Sequence, residues 1–196
     1  MSLNNKTDYS IYNFLDEHIV EKGKIYSHTS MGKPTGSFFI KENELDEFYS
    51  LYQDAIFNGK KLHITEKHDD ICPIIIDLDF KYEHEIIKRQ HTEETIKKIV
   101  NIYNEIILSI LDIEPGDERL QAFVFERNDV YHVKAITKDG IHILYPNIIT
   151  SPEVQYYIRE CVLKKIVPIL EELPLTNKPY DVVDRSVIKD TNWLLY

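Results

Sequence analysis

The sequence predicts an α+β protein, a mixed α/β arrangement in which helices flank a mixed β-sheet. Segments in which apolar residues recur at helical spacing interleave with short apolar segments typical of strands. Two consecutive strand-like segments, Leu120 to Arg127 and Val130 to Thr137, predict a hairpin joined at Asn128-Asp129, and a hairpin interrupts the alternation of a doubly wound parallel sheet. At 196 residues the chain has the length of one domain, so we expect a single domain over residues 1–196.

Four segments have helical patterns with recognisable ends. The predicted helices are Tyr9 to Glu21, Asn43 to Phe57, Thr92 to the residues before Pro115, and Ser151 to about Val167. Asn43 and Thr92 are residue types that accept hydrogen bonds from the first backbone N–H groups of a helix. Ser151-Pro152-Glu153 gives a cap, a proline and an acid in the order that opens a helix, and Pro168 is expected to disturb the far end.

Short apolar segments bounded by turn residues predict the strands. Besides the two hairpin strands, these are Lys24 to Thr29, Ser37 to Ile40, Lys61 to Thr65, Pro73 to Phe80 and Ile141 to Tyr145. The first two flank a turn over Met31 to Gly36. The last residues, Trp193 to Tyr196, are apolar and carry no polar tail, so we expect the chain to be the N-terminal fragment of a longer protein.

Two acids in the apolar strand Pro73 to Phe80 are the first candidate site. Side chains alternate along a strand, so Asp77 and Asp79 share one face while Ile76 and Leu78 pack on the other. Two carboxylates on one face of an otherwise buried strand are costly unless their charge is compensated. Mg²⁺ compensates it well, because it prefers carboxylate and water oxygens. The alternation therefore predicts a divalent metal site.

Other interpretations of this Asp-x-Asp pattern remain open from the residues alone. The strand could end at Ile76, which would leave two acids at a solvated tip. Haloacid-type phosphatases and some glycosyltransferases also use such a pair. The phosphatase pattern, however, has Thr or Val two residues after the second Asp, where this chain has Lys81.

A histidine on a later strand is the second candidate. His142 lies on the strand face opposite Ile141 and Ile143, and Lys138 precedes the strand. Gly140 allows the close approach of another backbone or of a ligand. A lone strand histidine is more often a structural residue that is satisfied by a hydrogen bond. The basic residue, the glycine and the separate Asp-x-Asp strand favour instead a role in binding phosphate oxygens.

The third candidate is an acid near the C-terminus. Asp184 follows two valines and could project from a strand end to complete a set of metal ligands. Asp181 has the same opportunity, and the spacing does not decide between them.

In chain order, these segments resemble the three motifs of the archaeo-eukaryotic primase superfamily. The motifs are an apolar run ending in Asp-x-Asp (Ile74 to Asp79), small-x-His (Gly140 to His142) and a late apolar-Asp (Val183-Asp184). The closer similarity is to the N-terminal primase domains of primase-helicases from large nucleocytoplasmic DNA viruses, including poxvirus, asfarvirus and mimivirus proteins. Further segments that carry it are His28-Thr29, Leu62 to Glu66, Asp79-Phe80, His142 to Pro146, Asp184 to Val187 and Asn192 to Tyr196.

The resemblance implies a nucleotidyltransferase site. In it, Asp77, Asp79 and Asp184 bind two Mg²⁺ or Mn²⁺ ions, and His142, helped by Lys138, contacts the triphosphate of the nucleotide. It also selects Asp184 over Asp181, because the Asp-x-x-Val spacing before Trp-Leu-Leu-Tyr is the pattern of that group. The implied function is that of a DNA primase or primase-polymerase in viral DNA replication. The implied partners are nucleoside triphosphates, a single-stranded DNA template and a helicase domain in the same full-length chain.

Composition bears on location and on rival functions. The first ten residues lack an apolar signal region, and no run is long enough to cross a bilayer, so we expect an intracellular protein without a membrane partner, in the cytoplasm of an infected host if the viral resemblance holds. A net charge of −10 is awkward for a surface that wraps phosphates. It slightly favours two alternatives: a degenerate primase-like binding module, and a metal-dependent phosphatase or nuclease that uses the Asp-x-Asp pair.

Overall fold

The computed structural model describes residues 9–195, and their contacts divide them into two units. The smaller unit combines residues 9–68 with 192–195, and the larger unit comprises residues 69–191. Residues 1–8 and Tyr196, the last residue of the Asn192 to Tyr196 motif segment, lie outside the described residues.

The described residues form nine strands and five α-helices. The strands are β1 (Ile19–Val20), β2 (His28–Ser30), β3 (Gly36–Phe38), β4 (Ile64–Glu66), β5 (Cys72–Glu83), β6 (Phe123–Glu126), β7 (Tyr131–Val133), β8 (Ile136–Thr150) and β9 (Trp193–Leu194). The α-helices are α1 (Ile11–Glu17), α2 (Leu45–Phe57), α3 (Glu93–Ile110), α4 (Pro152–Leu170) and α5 (Pro179–Val182). Short 3₁₀ turns span Glu42–Glu44, Glu118–Leu120 and Ser186–Ile188.

The predicted α+β class is confirmed. The smaller unit has a five-stranded sheet in the order β1-β3-β2-β4-β9, and the larger unit has a sheet in the order β5-β8-β6, with β7 also paired to β8. Where the sequence predicted one mixed sheet, the strand pairs within residues 9–195 are antiparallel and form two sheets. None of the helices in this part of the chain has the length and apolar character that crossing a membrane demands.

The smaller unit packs its sheet against α1 and α2. Its core consists mainly of aromatic and aliphatic side chains that are almost fully buried: Phe14, Leu15, Phe38, Phe48 and Ile64. The predicted pair of strands around the Met31 to Gly36 turn is confirmed as β2 and β3.

Two helix boundaries in the smaller unit differ from the prediction. α1 ends at Glu17 instead of Glu21, because the chain continues into β1, where Ile19 pairs with Phe38 of β3. Asn43 does not cap α2, since it lies inside the 3₁₀ turn Glu42–Glu44 that precedes the helix.

The larger unit is built on β5 and β8, two long strands that pair over almost their whole length. Alternate residues of both strands pack on α3 and α4 and form the main core of the protein, which includes Ile76, Leu78, Phe80, Ile141 and Ile143. Helix α3 begins as predicted, because the Thr92 hydroxyl accepts a hydrogen bond from the Thr95 N–H at 3.2 Å.

The predicted hairpin at Asn128-Asp129 is wrong. β6 and β7 do not pair with each other, since Glu126 is the partner of Ile141 and Tyr131 is the partner of Lys138 on the same strand, β8. They are two parts of one interrupted edge strand, and the reversal of direction comes later, at Lys134, which has a φ of 54°. Residues 127–130 lie opposite only residues 139 and 140, so the interruption is a β-bulge-like insertion.

The predicted end of the last long helix is also wrong. α4 continues through Pro168 to Leu170. Proline lacks the N–H that a helix interior uses and usually kinks or ends the helix. Here the proline lies only two residues before the end, where the apolar residues Ile169 and Leu170 are buried in the core and hold the last turn in place.

Candidate metal centre and nucleotide site

One face of the β5–β8 pair carries the first two predicted motifs side by side. The paired residues are Asp77 with His142, Asp79 with Gly140, and Lys81 with Lys138. Residues that are direct partners in an antiparallel pair project to the same side. We call this side, defined by these six residues, the carboxylate face. The opposite side of both strands belongs to the apolar core.

The third predicted acid reaches the same place from a distant part of the chain. Val183 forms an isolated bridge with Leu78, and the Asp184 N–H donates to the carbonyl oxygen of Asp77 at 2.9 Å. Carboxylate oxygens of Asp77, Asp79 and Asp184 all lie within 4.8 Å of one another, and the three side chains are partly exposed. Asp181, the competing candidate, is exposed on α5. The geometry groups Asp184 with the other two acids.

Hydrogen bonds fix the orientation of Asp184. Its two carboxylate oxygens accept from the N–H and the hydroxyl of Ser186 at 2.9 and 2.8 Å. The residues just before it are held by Arg159, which is only 2% exposed. Its Nε and Nη2 donate to the carbonyl oxygen of Val183 at 2.9 and 2.7 Å, and Nη2 donates to that of Tyr180 at 2.8 Å. The third acid is therefore preorganised although it lies in an irregular segment.

The charged form of the acidic cluster is unfavourable unless a cation compensates it. Burial raises the pKa of Asp79, the charge of Asp77 raises it further, and Asp184 adds a smaller contribution of the same sign. Lys138 and Lys81 oppose these effects, but the pKa remains above its ordinary value. The two lysines thus do not outweigh the combined effect of burial and neighbouring carboxylates on Asp79. Three clustered carboxylates without sulfur or imidazole ligands suit hard ions such as Mg²⁺ and Mn²⁺.

His142 lies at the border of the acidic cluster. Its Nε2 is 3.3 Å from Oδ1 of Asp77, and its side chain is 22% exposed. The ring is therefore accessible to a ligand and is not sealed in the core. Lys138, four residues before His142 on β8, is also partly exposed. The structure brings all five predicted site residues to one face of one unit, with Lys138 at its edge.

Sequence reasoning missed two residues that support the carboxylate face. Lys81 projects on the same side as Asp77 and Asp79, and the alternation would have shown this had the strand been predicted to continue beyond Phe80. Asn177 donates from Nδ2 to the carbonyl oxygen of Asp79 at 2.8 Å and accepts from the N–H of Lys81 at 3.1 Å. No local pattern marks Asn177, because its partners lie almost a hundred residues earlier.

A buried charged cluster supports β8 from the other side. Asp139 lies between Lys138 and Gly140, and its side chain is fully buried. Arg89 donates to both of its carboxylate oxygens at 3.0 and 3.1 Å, and the Gly140 N–H donates to one of them at 2.9 Å. Arg89 also pairs with Glu126 at 3.1 Å. These bonds join β8 to β6 beside the strand interruption and so hold Gly140 opposite Asp79.

Gly140 leaves room for this arrangement. A Cβ atom at this position would lie 3.2 Å from the carbonyl oxygen of Leu78 and 3.9 Å from Oδ1 of Asp79. The first distance is tighter than ordinary van der Waals contact, and the second would fill space beside the carboxylate. The small residue of the small-x-His motif therefore keeps the two strands and the acidic cluster unobstructed.

Comparison with known proteins agrees with the motif-based resemblance. A family model described as the C962R protein N-terminal AEP domain matches residues 27–196, which include the carboxylate face and Asp184. The chain is 40% identical over 198 residues to the Putative helicase L207/L206 of Acanthamoeba polyphaga mimivirus, an alignment that covers 95% of this chain and 20% of that protein.

Two iridescent virus proteins are also similar. Putative helicase 184R of Invertebrate iridescent virus 6 is 27% identical over 63% of this chain and 14% of that protein. Putative helicase 121R of Invertebrate iridescent virus 3 is 25% identical over 76% of this chain and 16% of that protein. The chain thus spans a fifth or less of the length of these relatives. It belongs to the family of the C962R protein N-terminal AEP domain, within the archaeo-eukaryotic primase superfamily.

Proposed function

We propose that this domain catalyses metal-dependent nucleotidyl transfer, synthesising or extending primers on single-stranded DNA during viral DNA replication. The observation that carries the proposal is the convergence of Asp77, Asp79 and Asp184 within 4.8 Å, with His142 3.3 Å from the first of them. Membership of a primase family supports the same reaction class.

In this proposal the aspartates bind metal, and the basic residues bind the phosphates of the nucleotide. The three aspartates hold two Mg²⁺ or Mn²⁺ ions, which when bound supply Lewis-acid activation of the attacking 3′-hydroxyl and stabilise the leaving pyrophosphate. His142 and Lys138 bind the β and γ phosphates of the nucleoside triphosphate. Lys81, which sequence reasoning had not included, adds positive charge on the same face.

No protein nucleophile is needed for this reaction. Positioning and electrostatic stabilisation provide most of the rate acceleration in transfers at phosphorus. Preorganisation here comes from the hydrogen bonds of Ser186 to Asp184 and of Asn177 to the backbone of Asp79, together with the Arg159 bonds to the segment before Asp184. These bonds hold the carboxylates in place before a metal or a nucleotide arrives.

A primer-synthesis assay on single-stranded DNA with Mn²⁺ tests the proposal. We expect the Asp77→Ala/Asp79→Ala protein and the Asp184→Ala protein each to lose at least about 100-fold in rate, the typical effect of removing one preorganised electrostatic element. Asp181→Ala is the matched control and keeps its activity, because Asp181 is exposed outside the cluster. Equal rates for the double variant and the wild type would rule out the proposed site.

The two alternative functions give different results in the same set of proteins. A degenerate binding module binds neither Mn²⁺ nor a nucleoside triphosphate in isothermal titration. A phosphatase of the haloacid type that uses the Asp-x-Asp pair has no need of His142, so His142→Ala would leave its rate unchanged. For the proposed reaction we expect His142→Ala to raise KM for the nucleotide by about 10-fold or more, the loss of a charge-assisted contact to phosphate.

The larger context of the domain is also a proposal. The relatives are viral proteins named as putative helicases, and this chain matches only a small part of each. We propose that a helicase domain follows in the same full-length chain and that the protein acts at a viral replication site in the host cytoplasm.

A further inference from the structure

The edge strand beside the metal centre carries an aromatic and basic surface that the proposed reaction does not use. On β6, Phe125 is the partner of His142 and Phe123 is the partner of Leu144, so both phenylalanines project on the side of the carboxylate face. Phe123 is 45% exposed. Within residues 9–195, β6 pairs only with β8, so its other edge has no strand beside it.

Arg127, within the strand interruption, and Tyr131, just after it, extend this surface. The Arg127 guanidinium lies 4.6 Å from the ring centre of Tyr131. Tyr131 is the partner of Lys138, which lies on the carboxylate face. We call Phe123, Phe125, Arg127 and Tyr131 together the β6 strip. The strip places three aromatic side chains and one cation along the edge strand of the sheet.

The charges around the β6 strip suit a polyanion. Glu126, the acid within β6, is engaged by His91 at 2.8 Å and by Arg89 at 3.1 Å. Its partner on β8 is Ile141, a core residue, so it projects away from the strip. On the strip side, Lys138 is the partner of Tyr131, and Arg127 lies over the Tyr131 ring. Asp77, which shares the row of Phe125 and His142, is a metal ligand in the proposed reaction, so its charge is compensated when the metals are bound. An exposed edge strand with aromatic residues is otherwise a liability, because it invites unwanted association.

We propose that the β6 strip binds the bases of a single-stranded nucleic acid that runs beside the metal centre. Aromatic side chains on a sheet face stack on bases without regard to sequence, and a nearby arginine adds cation–π and phosphate contacts. Alternate residues on a strand are about 6.7 Å apart, which leaves room for one base on each phenylalanine of an extended strand. The inference rests on the proposed function, since it identifies the strip's ligand as the template of that reaction.

Binding of a fluorescently labelled single-stranded oligothymidylate, followed by anisotropy with the whole chain, tests the inference. We expect Phe123→Leu to weaken binding by about 5- to 100-fold, the effect of losing one stacked base. Phe123→Tyr keeps an aromatic ring and keeps the affinity. Phe57→Leu is the matched control, because Phe57 is a phenylalanine that is 79% exposed on α2 of the other unit, and it leaves the affinity unchanged.

Two further measurements distinguish a single-stranded template from other ligands of the β6 strip. Titration of Mn²⁺ with a nucleoside triphosphate is unchanged in Phe123→Leu; a loss there, with unchanged oligothymidylate affinity, would assign the strip to the incoming nucleotide and overturn the inference. Light scattering that shows a dimer in the wild type and a monomer in Phe123→Leu would assign it to self-association instead. Unchanged oligothymidylate affinity, or no measurable binding by the wild type, also overturns it.

The outcome is distinct from that of the proposed catalytic function. Oligothymidylate binding is repeated in the Asp77→Ala/Asp79→Ala background, where no catalysis is expected. If the wild type synthesises no primers but Phe123→Leu still weakens oligothymidylate binding, the β6 strip stands and the catalytic proposal is refuted. If the wild type synthesises primers and Phe123→Leu binds oligothymidylate as tightly as the wild type, the catalytic proposal stands and the β6 strip proposal is refuted.

Discussion

Replacing Asp79 by asparagine is expected to stabilise the metal-free protein and to reduce strongly its stabilisation by metal. Burial raises the pKa of Asp79, and the neighbouring charges of Asp77 and Asp184 raise it further, so the charged form of Asp79 is disfavoured in the folded state. Asparagine has nearly the same shape as aspartate but no charge. The substitution therefore removes repulsion without removing volume.

The magnitude follows from the distances in the cluster. At 4.8 Å, two unit charges repel by about 1 kcal/mol in water and by about 3.5 kcal/mol at an effective dielectric constant of 20. Asp79 has two such neighbours, but Lys138 and Lys81 offset part of the repulsion, and the side chain is partly solvated. After this screening we expect Asp79→Asn to raise the free energy of unfolding by about 1–2 kcal/mol in EDTA.

The order of stability reverses when metal is added. At a Mn²⁺ concentration of about 100 times Kd, binding stabilises the folded wild type by about 2.7 kcal/mol. The variant lacks one ligand and gains much less. Urea unfolding of both proteins, in EDTA and in Mn²⁺, measures the four free energies. Asp181→Asn is the control, because this exposed acid lies outside the cluster, and its unfolding free energy is unchanged in both conditions.

The pH dependence has a defined sign. Because the pKa of Asp79 is raised in the folded state, the folded protein binds more protons than the unfolded chain just above the usual carboxylate pKa. In EDTA, the free energy of unfolding is therefore not lowered by Asp79 at low pH, and it falls as pH rises from the usual carboxylate pKa through the raised pKa of Asp79. This fall is absent in Asp79→Asn. A variant that is less stable than the wild type in EDTA, or equally stabilised by Mn²⁺, would refute this reasoning.

Three further substitutions test the supports of the site. Gly140→Ala is expected to lower the unfolding free energy by about 1–3 kcal/mol, because the added Cβ would lie 3.2 Å from the Leu78 carbonyl oxygen; unchanged urea midpoints would contradict this. Arg159→Met leaves the carbonyl oxygen of Val183 without its donor, so we expect a loss of about 1–3 kcal/mol and weaker Mn²⁺ binding, and equal Mn²⁺ affinity in titration would remove the positioning role. Thr92→Ala removes a helix cap and is expected to cost about 1 kcal/mol with no change in primer synthesis.

The sequence was informative wherever strand alternation decided the outcome. The period of two placed Asp77 and Asp79 on one face and their apolar neighbours on the other, and the same rule placed His142 on the side away from Ile141. The structure has these faces as predicted. Alternation needs only the local backbone geometry, so a single sequence suffices to apply it.

Spacing alone failed wherever pairing over long distances decided the outcome. Spacing did not decide between Asp181 and Asp184, and the bridge from Val183 to β5 is what brings Asp184 beside the other two acids. The hairpin prediction failed for the same reason. Asn128-Asp129 is a plausible turn, but the bonds of Arg89 to Asp139 and the pairing of both strand parts with β8 make it an interruption within one edge strand.

The register of β5 and β8 also resolves the apparent conflict between an acidic chain and a polyanionic substrate. The net charge of −10 counts every carboxylate alike, including those that are already neutralised in place. Asp139 is fully buried against Arg89. The acids of the carboxylate face are metal ligands in the proposed reaction, and the residues paired in register beside them are the cations Lys81 and Lys138. A one-residue slip of β8 against β5 would move Lys138 to the apolar side and the core residues of β8 outward. In the proposed reaction, the local field that a nucleotide would meet is therefore set by strand register, so the composition of the chain is a poor guide to its affinity for phosphates.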